Sequence, residues 1–133
     1  MKICLKSSLV HLLYLFYGLV KAGYDLLAEE NFIGYVETDL KNTDECFALK
    51  VVGDSMQPVL FEDDIVIVRK QNSVEDGQIA VVIVDDEATV KKVRLLDDGI
   101  ELIAYNSYYP PRKVKDFIIV GRVIEARIKK IFE

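Results

Sequence analysis

In the stretch Val52-Gly53-Asp54-Ser55-Met56-Gln57-Pro58 a serine stands between an acid and a methionine, just after an apolar run and just before a proline. Gly-Asp-Ser is ordinary turn chemistry, since glycine supplies unusual backbone angles and Asp and Ser bond their own main chain. The same serine becomes a nucleophile only where a base takes its proton. The one histidine, His11, sits inside an apolar N-terminal stretch and reads as structural. The acid-rich stretches Glu62-Asp63-Asp64, Glu75-Asp76, Asp85-Asp86-Glu87 and Asp97-Asp98 fall between apolar runs. They read as solvated turns rather than as a metal or glycosidase site. Lysines and carboxylates remain as candidate bases, and a lysine can serve only when it is desolvated. An unperturbed pKa of about 10.4 leaves under about one molecule in a thousand neutral at pH 7, and burial lowers it by up to about 3 to 5 units.

The search is therefore for a lysine on the apolar side of a strand. In Glu87-Ala88-Thr89-Val90-Lys91-Lys92-Val93-Arg94-Leu95, alternation puts Thr89, Lys91, Val93 and Leu95 on one face and Ala88, Val90, Lys92 and Arg94 on the other. Arg94 draws the second face toward water. Lys91 is the better candidate for a neutral amine, against the plainer reading of two surface lysines on an edge strand.

The elements that must hold these residues are strands. Cys46 to Val52, Ile65 to Arg69, Gln78 to Val84, Ala88 to Leu95, Ile100 to Ala104 and Phe117 to Ile128 are short runs rich in Val and Ile, separated by the acidic turns. The chain has 133 residues, 51% of them hydrophobic, which suits one compact, mostly β domain. The last run, apolar and at the end of an acidic domain, reads as an edge for pairing with a second copy. Three of the 17 basic side chains (Lys2, Lys6 and Lys21) lie in the first 22 residues, which carry no acid; the remaining 14 face all 22 acids. Such a body repels phosphate and is not expected to bind DNA by itself. Two cysteines, Cys4 and Cys46, make neither a disulfide framework nor a metal-ligand spacing, which suits a reducing cytoplasm. The apolar run Leu9 to Val20 is too short for a spanning helix, which needs about 20 residues. It reads either as a signal-like core, with Val20-Lys21-Ala22 as cleavage positions, or as an amphipathic or buried arm.

Several blocks, in order, resemble the LexA-type self-cleaving peptidase domain of SOS-response repressors, phage repressors and UmuD-type polymerase accessory proteins. They are Gly53-Asp54-Ser55-Met56-Gln57-Pro58, Glu62 to Val68, Asp76 to Val82, Thr89-Val90-Lys91-Lys92-Val93, Tyr105-Asn106-Ser107-Tyr108-Tyr109-Pro110 and Val120-Gly121-Arg122-Val123. The resemblance runs from about residue 20 to the end of the chain. It implies a LexA/signal-peptidase-like β-fold with Ser55 as nucleophile and Lys91 as general base, 36 positions apart. It also implies a scissile bond between Ala22 and Gly23, within a cleavage region of about residues 20–28 and 33 residues before the serine. A glycine after the bond lets the chain turn tightly. The backbone N–H groups at Asp54 and Ser55 are the expected oxyanion donors. Neither cofactor nor metal is expected.

On this reading residues 1–22 form a short apolar arm removed on cleavage, and residues 23–133 are the peptidase domain. Repressors of the family carry a helix-turn-helix domain ahead of the bond, and residues 1–22 show no such pattern. The layout fits either a UmuD-like accessory protein or a repressor parted from its DNA-binding half. The resemblance further implies a cytoplasmic homodimer, a RecA-type filament as co-protease and, for the UmuD-like case, an error-prone polymerase as partner, with no membrane. A type I signal peptidase, which also pairs serine with lysine, and an inactive dimerisation module are the competing readings.

Overall fold

The computed structural model of the chain describes residues 11–18, 27, 31–41 and 43–127. β-Branched side chains pack well on a pleated surface, and the Val/Ile runs form strands accordingly. In chain order these are β1 His11–Tyr17, β2 Phe32–Thr38, β3 Cys46–Lys50, β4 Ile65–Lys70 and β5 Ile79–Val84, then β6 Glu87–Leu96, β7 Gly99–Ile103, β8 Arg112–Val114 and β9 Ile118–Arg127. A 3-10 turn lies at Thr43–Glu45. All nine strands lie in one sheet of order β2-β1-β3-β4-β9-β5-β6-β7-β8, antiparallel except where β1 runs parallel to β3.

The central strands bury both faces, so the sheet must curl over itself to close its cores. On one face Phe47 and Leu49 of β3, Val66 and Val68 of β4 and Val81 of β5 form a shared core with Phe16, Met56 and Leu60. The opposite face divides in two. Leu13, Val36, Cys46, Ala48 and Ile67 pack together at the β1 end. Ala80, Val82, Val84, Val93, Ile100 and Leu102 pack with Val114 and Ile119 at the other.

Two sequence expectations change here. The apolar N-terminal run is a strand where it is described: β1 is hydrogen-bonded to β2 on one side and to β3 on the other. Leu13 and Phe16 point into core, while Leu12, Tyr14 and Tyr17 stay exposed. The proposed dimer edge is narrowed. β9 pairs with β5 through Ile118–Arg122 and with β4 through Gly121–Arg127, so both edges are paired only where the two ladders overlap, and past Arg122 no described strand lies along its β5-side edge. Ile119 and Gly121 are buried, whereas Ile118, Glu125 and Ala126 are exposed. The outermost strands are β2 and β8.

Candidate active site

Ser55 lies in the turn between β3 and β4, and that turn is tightly tethered. Gly53 takes φ +84°, a left-handed angle that glycine adopts without strain. Gln57 N–H donates to the Asp54 carbonyl, and the Val59 and Leu60 N–H groups donate to the Met56 carbonyl. Met56 and Leu60 are each 2% exposed and sit in the shared core beneath the turn. Burying two such side chains stabilises the turn by roughly 1.5–3 kcal/mol apiece. The acidic stretch that closes the turn is not all solvated, contrary to the expectation for Glu62-Asp63-Asp64. Asp64 is 1% exposed; its carboxylate accepts from Phe61 N–H at 2.8 Å and its carbonyl from Val51 N–H at 2.8 Å. A buried carboxylate is retained where it accepts such bonds.

Lys91 comes from β6, opposite Ala80 of β5. Its Nζ donates to Ser55 Oγ at 2.8 Å and to Thr89 Oγ1 at 2.6 Å. Thr89 stands two residues along the same strand face, as alternation requires. Partial burial pulls the Lys91 amine below its ordinary 10.5. Alternation thus selected the lysine that reaches the serine, although Leu95, grouped with it as apolar, is 47% exposed. The face follows the fold only as far as Val93, which is fully buried.

Two backbone donors complete the surroundings of Ser55. Among the described residues neither the Asp54 nor the Ser55 N–H donates to a protein acceptor. The loop between β7 and β8 clasps the same turn. Asn106 Nδ2 donates to the Asp54 carbonyl at 3.1 Å, Asn106 N–H donates to the Ser55 carbonyl at 3.0 Å, and the Tyr109 phenol donates to the Asp54 carboxylate. That last bond, with the adjacent negative charge, raises the Tyr109 phenol above its usual 10.0. Asn106 and Tyr109 fall within a block that carried the family resemblance, but their partners lie 52 and 55 positions away, beyond the reach of any local pattern.

Ser55 and Lys91 line one cleft together with Lys50, Val52, Met56 and Gly18. Gly18 follows β1 directly and packs on the Lys50 backbone so closely that a methyl there would overlap the Lys50 carbonyl oxygen. The expected scissile residues Ala22 and Gly23 lie outside the described residues. His11, set aside as structural, is a β1 residue paired with Thr38. Among the described residues no three His, Cys, Asp or Glu side chains cluster as metal ligands do, and no helix is long and apolar enough to cross a membrane.

A serine hydroxyl bonded to a partly desolvated amine, with free N–H groups beside it, is an arrangement in which the amine could take the hydroxyl proton. The family pattern Peptidase S24-like matches residues 15–124, and the chain belongs to that family as a LexA-type domain. It is 44% identical over 110 residues to the LexA repressor of Caldicellulosiruptor saccharolyticus, covering 80% of this chain and 54% of the relative. The LexA repressor of Magnetococcus marinus is 44% identical over 115 residues, covering 83% and 50%, and that of Oleidesulfovibrio alaskensis 40% over 113, covering 80% and 55%. The chain spans about half the length of the curated relatives it matches.

Proposed function

We propose that this chain is a self-cleaving serine peptidase domain that cuts its own Ala22–Gly23 bond and thereby switches an SOS-type or phage-type repressor, or a UmuD-like accessory protein. The observation that carries the reading is the 2.8 Å bond from Lys91 Nζ to Ser55 Oγ in a cleft that Gly18 also lines. From Gly18 to Ala22 the chain extends at most about 14 Å, so the bond is tethered within reach of the serine. Neutral Lys91 takes the Ser55 hydroxyl proton as Oγ attacks the Ala22 carbonyl carbon. The N–H groups of Asp54 and Ser55 receive the resulting oxyanion. The C–N bond breaks, and the Lys91 ammonium gives its proton to the Gly23 amine. A water, activated by the same amine, then hydrolyses the Ser55 ester and leaves an Ala22 carboxylate. Thr89, bonded to Nζ, holds the amine toward Ser55 through this cycle.

The LexA relatives support placing the switch in the SOS system. On that reading the domain is a cytoplasmic homodimer and a RecA-type filament on single-stranded DNA promotes its cutting. Tethering makes the step unimolecular. The first-order rate constant for loss of intact chain is therefore expected to stay constant across a hundredfold range of protein concentration. A rate constant proportional to concentration would mean cutting in trans and would overturn the tethered mechanism.

A further inference from the structure

The turn that carries Ser55 has two carbonyls next to the serine, and Asn106 bonds both, sharing that of Asp54 with the Gln57 N–H. The Asp54 carbonyl accepts from the Asn106 side chain at 3.1 Å, and the Ser55 carbonyl accepts from the Asn106 backbone N–H at 3.0 Å. The orientation of the Asn106 amide is set by two contacts of opposite polarity: Nδ2 donates to Asp54, while Oδ1 accepts from Tyr108 N–H at 3.0 Å. Tyr109 N–H closes the loop onto the Asn106 carbonyl at 3.1 Å, and the Tyr109 phenol ties down the Asp54 carboxylate.

The Asp54–Ser55 peptide is trans. In a trans peptide the C=O and the following N–H are coplanar and point in opposite directions. Pinning the Asp54 carbonyl on the Asn106 side therefore fixes the direction of the Ser55 N–H, which turns away from the β7–β8 loop. Without the Asn106 donor, only the Gln57 N–H at 3.2 Å would hold that carbonyl, and rotation of one peptide plane would swing the Ser55 donor off its target.

We infer that Asn106 is the positioning residue of the oxyanion hole, holding the carbonyls of Asp54 and Ser55 so that the Ser55 N–H faces the carbonyl under attack. This rests on the proposed role of Ser55 as a nucleophile. The inference separates two parts of the site by element. Thr89 on β6 and partial burial prepare the base; Asn106 on the β7–β8 loop prepares the electrophile's binding site.

Asn106→Asp tests it, because the variant keeps the backbone N–H and the acceptor facing Tyr108 and turns the donor to Asp54 into a charged acceptor. Asn106→Ala, which adds no charge, is read alongside it. Two rates are followed against pH: self-cleavage, and labelling of Ser55 by a fluorophosphonate, in which Oγ displaces fluoride at phosphorus, the Ser55 proton goes to Lys91, and the phosphoryl oxygen takes the oxyanion position. The expected result is a lower plateau in both assays, by more than about tenfold and approaching the ~10²–10³ of outright donor loss, with the midpoint of each pH profile unmoved. An unchanged plateau overturns the inference. So does a plateau loss in Asn106→Ala accompanied by an upward shift of the midpoint, because with no charge added such a shift means that loosened packing has hydrated Lys91 and the role is merely structural. If wild-type chain labels without cutting itself, the self-cleavage reading falls and the labelling ratio alone decides the role of Asn106. If it does neither, Ser55 is not a nucleophile and both readings fall.

Discussion

Replacing Gly18 with alanine perturbs the approach of the scissile segment without touching the Ser55–Lys91 pair. The added β-carbon would overlap the Lys50 carbonyl oxygen, lie 3.4 Å from the Lys50 carbonyl carbon and meet the Val52 side chain at 3.6 Å. Lys50 ends β3, which is bonded to β4 along its whole length, so the obstacle is backbone that cannot rotate aside. The exit of β1 must instead lift by on the order of 1 Å to restore van der Waals separation. A misplacement of that size in a tethered reaction slows it by about 10²-fold, equivalent to about 2.7 kcal/mol of barrier. The assay is the decay of intact mass with time at alkaline pH, paired with fluorophosphonate labelling of Ser55. Cutting is expected to slow by about that factor while labelling proceeds at the wild-type rate. Equal cutting rates in Gly18→Ala and wild type would refute the route past Lys50; loss of labelling would mean that the substitution had disturbed the fold.

Lys91→Ala is expected to abolish cutting and Lys92→Ala to leave most of it, as seen by gel, since Lys91 holds Ser55 Oγ and its strand neighbour must face the other way. Desolvation lowers the Lys91 pKa below 10.5, and the neutral amine is the active form, so cutting should accelerate about tenfold per pH unit and level off below pH 10.5. Thermal stability should also rise with pH between the folded-state pKa and 10.5, where the unfolded chain keeps the proton that the folded chain has released, and be lost as pH falls through the folded value. Gly121→Ala should lower the denaturant midpoint clearly, because β9 passes β4 so closely that a methyl would overlap the Arg69 carbonyl oxygen and crowd Val68. After cutting, the 1–22 piece is expected to co-elute with residues 23–133 in gel filtration, because β1 is bonded on both edges and buries Leu13 and Phe16; separate elution under native conditions would contradict this.

The parts of the site written in local pattern were legible in the sequence. Lys91 was distinguishable from Lys92 because strand alternation sends neighbours to opposite faces, whereas the glycine-led turn at Ser55 read as ordinary turn chemistry and only the family resemblance singled that serine out. β1 was not legible, because its aromatic and aliphatic side chains occupy both faces: Tyr14, Tyr17 and Leu12 remain exposed, so alternation between polar and apolar residues never appears. β9 was legible only in part, since its first half pairs with β5 and its second with β4, a division that no local pattern carries. Asp64 looked like a member of a solvated acidic turn, and only the packed turn reveals its bonds to Phe61 and Val51. Asn106 depends on a contact 52 positions away, which no local pattern carries.

The most direct measurement compares intact masses of wild-type and Ser55→Ala chains after the same alkaline incubation. Self-cleavage predicts a wild-type fragment beginning at Gly23 and a Ser55→Ala chain that stays whole, with both folded to the same melting temperature. A Ser55→Ala chain that still loses residues 1–22 would show that another enzyme makes the cut and would contradict the role assigned to Ser55.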